Sequence, residues 1–109
     1  MAAAPPPPLP PVRLRPEEIA AVKRIVAEHF GSKAEVRVFG SRARLDLRGG
    51  DLDLHVWVPG ATPPFGVEVR VANVIEKAMD DRHVDLVLLG SADPPRRIDE
   101  VALATGVLL

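Results

Sequence analysis

The clearest alternation of apolar and polar positions runs through residues 51–58. Leu52, Leu54, Val56 and Val58 fall on one parity; Asp51, Asp53, His55 and Trp57 fall on the other. Successive strand residues point to opposite faces, so this pattern predicts a strand with one face in the core and both acids on the other. Pro59-Gly60 ends it. Shorter runs predict two more strands. Residues 35–39 place Val36 and Val38 on one face, and residues 83–89 place Val84, Leu86 and Leu88 on one face with Asp85 beside Val87 on the other.

Helical spacing takes over elsewhere. Residues 16–30 repeat Ile19, Val22, Val26 and Phe30 along one face. Pro16 suits the first turn, Glu17 and Glu18 complement the positive end of the helix dipole, and Gly31 is a natural stop. A second amphipathic helix is predicted over residues 67–80, with Val67, Val71, Val74, Ile75 and Met79 on its buried side. A short helix over residues 98–105 precedes an apolar tail, residues 106–109, read as closing the core. Residues 46–50 and 90–95 read as loops. The order helix, strand, strand, helix, strand, helix predicts a small α/β or α+β sheet with helices packed on one face.

Composition narrows the function classes. At 109 residues and 47% hydrophobic, the chain has material for one small core and none for a separate acceptor domain. A formal charge of −1 exerts no general pull on nucleic acid or an anionic membrane, so no direct nucleic-acid partner is expected. No cysteine means no disulfide and no thiolate metal site, which is compatible with the cytoplasmic location expected here. No apolar run approaches the roughly 18–20 residues of a membrane span. Residues 1–15 hold Pro5-Pro6-Pro7-Pro8 and Pro10-Pro11, a composition that favours extended polyproline II and predicts a disordered leader; residues 16–109 form the predicted domain.

The candidate chemistry lies where strands end or carry acids. Asp51 and Asp53 point the same way on a strand and can share one or two hard cations. Mg²⁺ favours a few carboxylates together with water and substrate phosphates, and a two-metal site would neutralise a triphosphate and lower the pKa of an attacking hydroxyl. If the 83–89 strand pairs beside the 51–58 strand, Asp85 reaches the same cluster; the alternative for Asp85 is a salt bridge to Arg42 or Arg82. Gly40-Ser41 follows the first strand. Glycine lets backbone approach phosphate, a helix start presents free N–H groups, the Ser41 hydroxyl can donate to a phosphate, and Arg42 or Arg44 can add charge-assisted contacts. His55 reads as a half-exposed strand residue, His83 as the beginning of a strand, and Arg96-Arg97 as a solvated helix start. Trp57, the one tryptophan, reads equally as a stacking residue and as sheet-edge packing.

The run Phe39-Gly40-Ser41-Arg42-Ala43-Arg44, a short loop, and then Gly50-Asp51-Leu52-Asp53-Leu54-His55-Val56 resembles the signature of minimal nucleotidyltransferases of the DNA polymerase β superfamily. His83-Val84-Asp85-Leu86-Val87 looks like the strand bearing that family's third acid, and the likeness covers roughly residues 17–109. The resemblance implies a mixed sheet of the polymerase β palm type, with NTP and Mg²⁺ as ligands. It implies phosphate binding at Gly40 and Ser41, and metal ligation by Asp51, Asp53 and Asp85, with Asp85 also helping to activate the acceptor hydroxyl. Leu45 stands where the motif often has a second glycine and Gly50 where it often has serine; all three acids remain. Small members of this family are often antitoxins paired with a helical HEPN-domain protein, onto whose tyrosine they transfer AMP from ATP. The resemblance therefore implies a protein adenylyltransferase acting in a hetero-oligomer. A second reading is a non-catalytic antitoxin that neutralises its partner by complex formation. A third, transfer to a small molecule, needs an acceptor domain for which this chain has no room.

Overall fold

The alternating and helical patterns condense into α1 (Pro16–Phe30), β1 (Glu35–Phe39), β2 (Leu52–Val58), α2 (Phe65–Ala78), β3 (Val84–Gly90), α3 (Arg97–Thr105) and β4 (Val107–Leu108). The structure, a computed structural model, describes residues 14–40 and 51–109. The proline-rich leader up to residue 13, Ser41, Arg42, Arg44, Leu45 and Gly50 lie outside the described residues. Among the described residues no helix is long and apolar enough to cross a membrane.

The four strands form one mixed sheet in the order β3-β2-β1-β4. β2 pairs antiparallel with β1 and parallel with β3, α2 making the crossover between them, and β4 pairs antiparallel with β1. A parallel pair needs such a crossover because its strands cannot be joined by a tight hairpin. Leu52, Leu54, Val56 and Val58 of β2, Val36 and Val38 of β1 and Val84, Leu86 and Leu88 of β3 are all buried on one face. Val22, Ile25 and Val26 of α1 and Val71, Ala72 and Ile75 of α2 join them in a single core. Each fully buried aliphatic side chain here stabilises the fold by about 1.5–3 kcal/mol relative to an exposed one. The expected packing of helices on one face is thus met by α1 and α2. The short α3 adds a contact to the other face, where its Asp99 meets His55 of β2.

Local chemistry explains the boundaries. α1 occupies the predicted span; the Arg15 backbone N–H donates to the Glu18 carboxylate at 2.9 Å, satisfying a group just ahead of the helix. α2 begins two residues before the expected start because Pro64, at φ −61°, serves as its N-cap. It ends at Ala78, where Asp80 and Asp81 take left-handed φ values of 57° and 60° and the Asp81 N–H closes onto the Glu76 carbonyl at 2.8 Å. Val74, expected in the core, is exposed, since the buried stripe of α2 runs through Val71, Ala72, Ile75 and Met79. The apolar tail does close the core, and it does so as a strand: Val107 and Leu109 pack inward, while the Leu109 N–H donates to the Val36 carbonyl at 2.9 Å.

Candidate functional site

Parallel pairing of β2 with β3 sets Asp53 directly opposite Asp85. Neighbouring strands stand about 4.8 Å apart and both side chains project from the face opposite the core, so the two carboxylates are forced together. Asp51, in the bend just before β2, joins them: one ligand atom each from Asp51, His83 and Asp85 lie within 4.8 Å of one another. The three acids singled out in the sequence are therefore gathered at the amino-terminal ends of two adjacent strands.

The electrostatics are those of a crowded anionic cluster. Burial is the largest influence raising the Asp53 pKa, followed by the charges of Asp85 and Asp51 and a hydrogen bond with Asp85. Among the described residues His83 compensates: Nε2 donates to Asp85 Oδ1 at 3.0 Å, and that bond and the charge of Asp85, aided by Asp51 and Glu76, raise its pKa. The sequence reading makes His83 a mere strand start; its i,i+2 spacing puts it on the same side as Asp85, and that spacing to the strand acid is the signal the sequence carries. Arg82, an alternative partner for Asp85, reaches Glu18 at 3.4 Å instead, and Arg42 lies outside the described residues.

Gly40 brings the end of β1 against these acids. It follows Phe39, which pairs with Asp53 across β1 and β2, and it has φ +70°, a conformation that favours glycine. A Cβ placed on Gly40 would collide with Asp53 Oδ2. Only a residue without a side chain leaves this carboxylate room beside the turn. Ser41, Arg42 and Arg44, the other expected phosphate contacts, fall outside the described residues.

The donor set fits a hard divalent ion. Asp51 and Asp85, with Asp53 in register beside Asp85, offer the carboxylate oxygens Mg²⁺ prefers, few enough to leave positions for water and phosphate. The missing side chain at Gly40 leaves room for the Asp53 carboxylate. A cavity of ≈ 520 Å³ opens from Asp53 and Asp85 along β3, between α2 and the first turn of α3.

His55 departs from its reading as half-exposed. It is fully buried, and its Nε2 donates to Asp99 Oδ1 at 2.9 Å. Burial lowers the His55 pKa, outweighing the pull of Asp99. Burial also pushes Asp99 upward, but hydrogen bonds from the Arg96 side chain and backbone and from His55 prevail and leave its pKa lowered. An ionised Asp99 fixes the proton of the neutral ring on Nε2, leaving Nδ1 without a partner among the described residues. Arg96 is correspondingly not a simple solvated helix start: its N–H donates to Asp99 Oδ2 at 2.7 Å, and its Nη2 donates to the Leu88 carbonyl at 2.9 Å. Strand parity reveals which face His55 occupies but not that α3 covers it. Trp57 sits four residues along β2 from Asp53, on an inner strand, and does not line the cavity.

The pattern of acids on β2 and β3 beside a glycine turn agrees with the comparison to known families. The family model described as nucleotidyltransferase domain matches residues 19–105. No curated protein sequence matches the chain significantly. The match spans α1 through α3, including every described acid of the site, and on it the chain belongs to the nucleotidyltransferase domain family.

Proposed function

We propose that this chain is a Mg²⁺-dependent protein adenylyltransferase that moves AMP from ATP onto a hydroxyl, a tyrosine side chain, of a small helical HEPN-type partner, and so acts as the antitoxin of a toxin–antitoxin pair in the cytoplasm. The observation that carries the catalytic part is the in-register pair Asp53–Asp85 with Asp51 at its side. Membership of the nucleotidyltransferase family supports nucleotidyl transfer. The sequence resemblance supports ATP and the HEPN partner.

The acceptor oxygen attacks the α-phosphorus of ATP, a new O–P bond forms, the bond from that phosphorus to the β-bridging oxygen breaks, and pyrophosphate leaves with the electron pair. Asp51, Asp53 and Asp85 would hold Mg²⁺, which supplies neutralisation of phosphate charge and acidifies the acceptor hydroxyl. Asp85, at the outer side of the acid row, takes the acceptor proton, while Gly40 leaves backbone room for the phosphates.

The test is intact-mass analysis of the protein encoded beside this chain after incubation with the chain, ATP and Mg²⁺. A gain of one or more AMP units, absent with Asp51→Asn/Asp53→Asn, is expected. A stable complex with no mass gain would replace this reading with a non-catalytic antitoxin.

A further inference from the structure

The cavity beside the acids has a composition that the catalytic reading leaves unused. Phe65 and Val69 from α2 and Ile98 from α3 are exposed apolar side chains on two different helices, and all three line it. Phe65 is 75% exposed, unusual for a phenylalanine in a small domain unless something covers it. The other conspicuous lining groups are acids: Glu68 and Glu76 join Asp53 and Asp85, with His83 already bonded to Asp85. An apolar groove rimmed by carboxylates selects a flat apolar group flanked by positive charge.

The registry of the sheet says which reactant lies there. Phe39, Asp53 and Asp85 form one row across β1, β2 and β3, with Gly40 next to Phe39 at one end. The groove takes in this whole row, Phe39 included, and continues beyond the other end, past β3. Displacement at phosphorus is in line, so the attacking oxygen approaches opposite the leaving pyrophosphate. With the leaving phosphates at the Gly40 end, the nucleophile enters from the β3 end. A hydroxymethyl group would leave a groove of ≈ 520 Å³ largely empty; an aromatic ring with neighbouring residues fills it.

Resting on the proposed transfer reaction, we infer that the groove between α2 and α3 is the acceptor-docking site, and that it takes a tyrosine-bearing segment of a partner protein with basic residues on either side. Phe65, Val69 and Ile98 hold the ring, Glu68 and Glu76 meet the basic flanks, and the phenolic oxygen reaches the acid row at Asp85. Phe65, Val69 and Ile98 are positioning residues in this arrangement.

The experiment titrates the isotope-labelled full chain by NMR with two separate probes: Mg²⁺-ATP, and an amidated pentapeptide with central tyrosine and terminal arginines. The peptide is expected to shift the amides of Phe65, Val69 and Ile98, and its Kd to rise about fivefold or more in Phe65→Ala/Ile98→Ala, two exposed positions whose truncation spares the core. A peptide with terminal glutamates in place of the arginines, and the arginine peptide against Glu68→Gln, are each expected to bind about threefold or more weakly. Mg²⁺-ATP affinity is expected to stay within about twofold in the double alanine variant. Peptide shifts elsewhere on the surface, equal binding of both peptides, or a loss of Mg²⁺-ATP affinity in the double variant would overturn the assignment, the last by placing the nucleoside in the groove. Peptide binding at the groove combined with no mass gain on the neighbouring-gene protein would sink the transfer reaction and leave the docking site standing.

Discussion

Asp53 on β2 and Asp85 on β3 face each other in register across a parallel strand pair, and their mutual repulsion helps raise the Asp53 pKa. Two carboxylates held this way destabilise the metal-free fold and stabilise the metal-bound one. Asp53→Asn is therefore expected to leave the metal-free melting temperature equal to or above that of the wild type, while lowering nucleotidyl transfer by about 100-fold or more. Calorimetry in chelator and a turnover assay check the two halves; a variant that melts well below wild type in chelator would contradict the repulsion argument. The sign follows for pH as well. A raised folded-state pKa means Asp53 opposes folding when ionised, so its contribution improves as pH falls through that raised value toward the ordinary 3.8.

Mg²⁺ is expected to raise the melting temperature of the wild-type chain. Binding only to the folded form stabilises by about 1.4 kcal/mol for each tenfold excess of metal over its Kd. Asp51→Asn/Asp85→Asn removes two of the three acids and should abolish the shift. A full Mg²⁺-dependent shift in that variant would place the ion elsewhere.

Gly40→Ala combines a left-handed backbone with a methyl group driven into Asp53 Oδ2. The expected cost is about 1–2 kcal/mol of stability, with transfer activity reduced about tenfold or more because the Asp53 carboxylate must move. Denaturant titration and steady-state kinetics read the two effects. Wild-type activity in this variant would mean that the close approach has no role in catalysis.

Asp99 is buried and binds His55 and Arg96 together, so Asp99→Ala strands a buried imidazole and loosens the start of α3. A loss of about 3 kcal/mol is expected in urea unfolding. The same pair makes the fold acid-sensitive. His55 has a lowered folded-state pKa, so stability declines as pH drops from about 6.5, where the unfolded chain begins to take up the proton. Asp99, also lowered, contributes stability that is present above its unfolded value of 3.8 and is lost as pH falls through its folded value. Stability measured from pH 7 to pH 3 should fall in both ranges; the higher-pH decline should vanish in His55→Gln.

Much of the fold is legible because its signals are local. The strand parity of residues 52–58, the helical stripe of α1 and the breaks at Gly31 and Pro59-Gly60 depend only on near neighbours along the chain. The same is true of the acids, since a carboxylate alternating with Leu52, Leu54 and Val56 is conspicuous without knowing what surrounds it. The misreadings fall where a residue's environment is supplied from far away. Val74 has the spacing of a core residue, but α2 turns Val71, Ala72 and Ile75 to the sheet and leaves Val74 exposed. The tail after Gly106 is too short to announce a strand and becomes one only because β1 offers a free edge.

The chain by itself determined that Asp53 and Asp85 lie on strands, with Asp51 just ahead of one of them, near a glycine turn, because side-chain alternation is a property of the backbone. It also determined which face of each strand enters the core. Tertiary structure alone decided that β2 and β3 run parallel with Asp53 level with Asp85, because register depends on how the α2 crossover packs against the sheet. It likewise decided that Gly40 abuts Asp53 and that α3 carries Asp99 over His55. Each of these joins residues brought together by strand pairing and helix packing, and apolar burial that is non-directional selects such pairs only once the whole core closes.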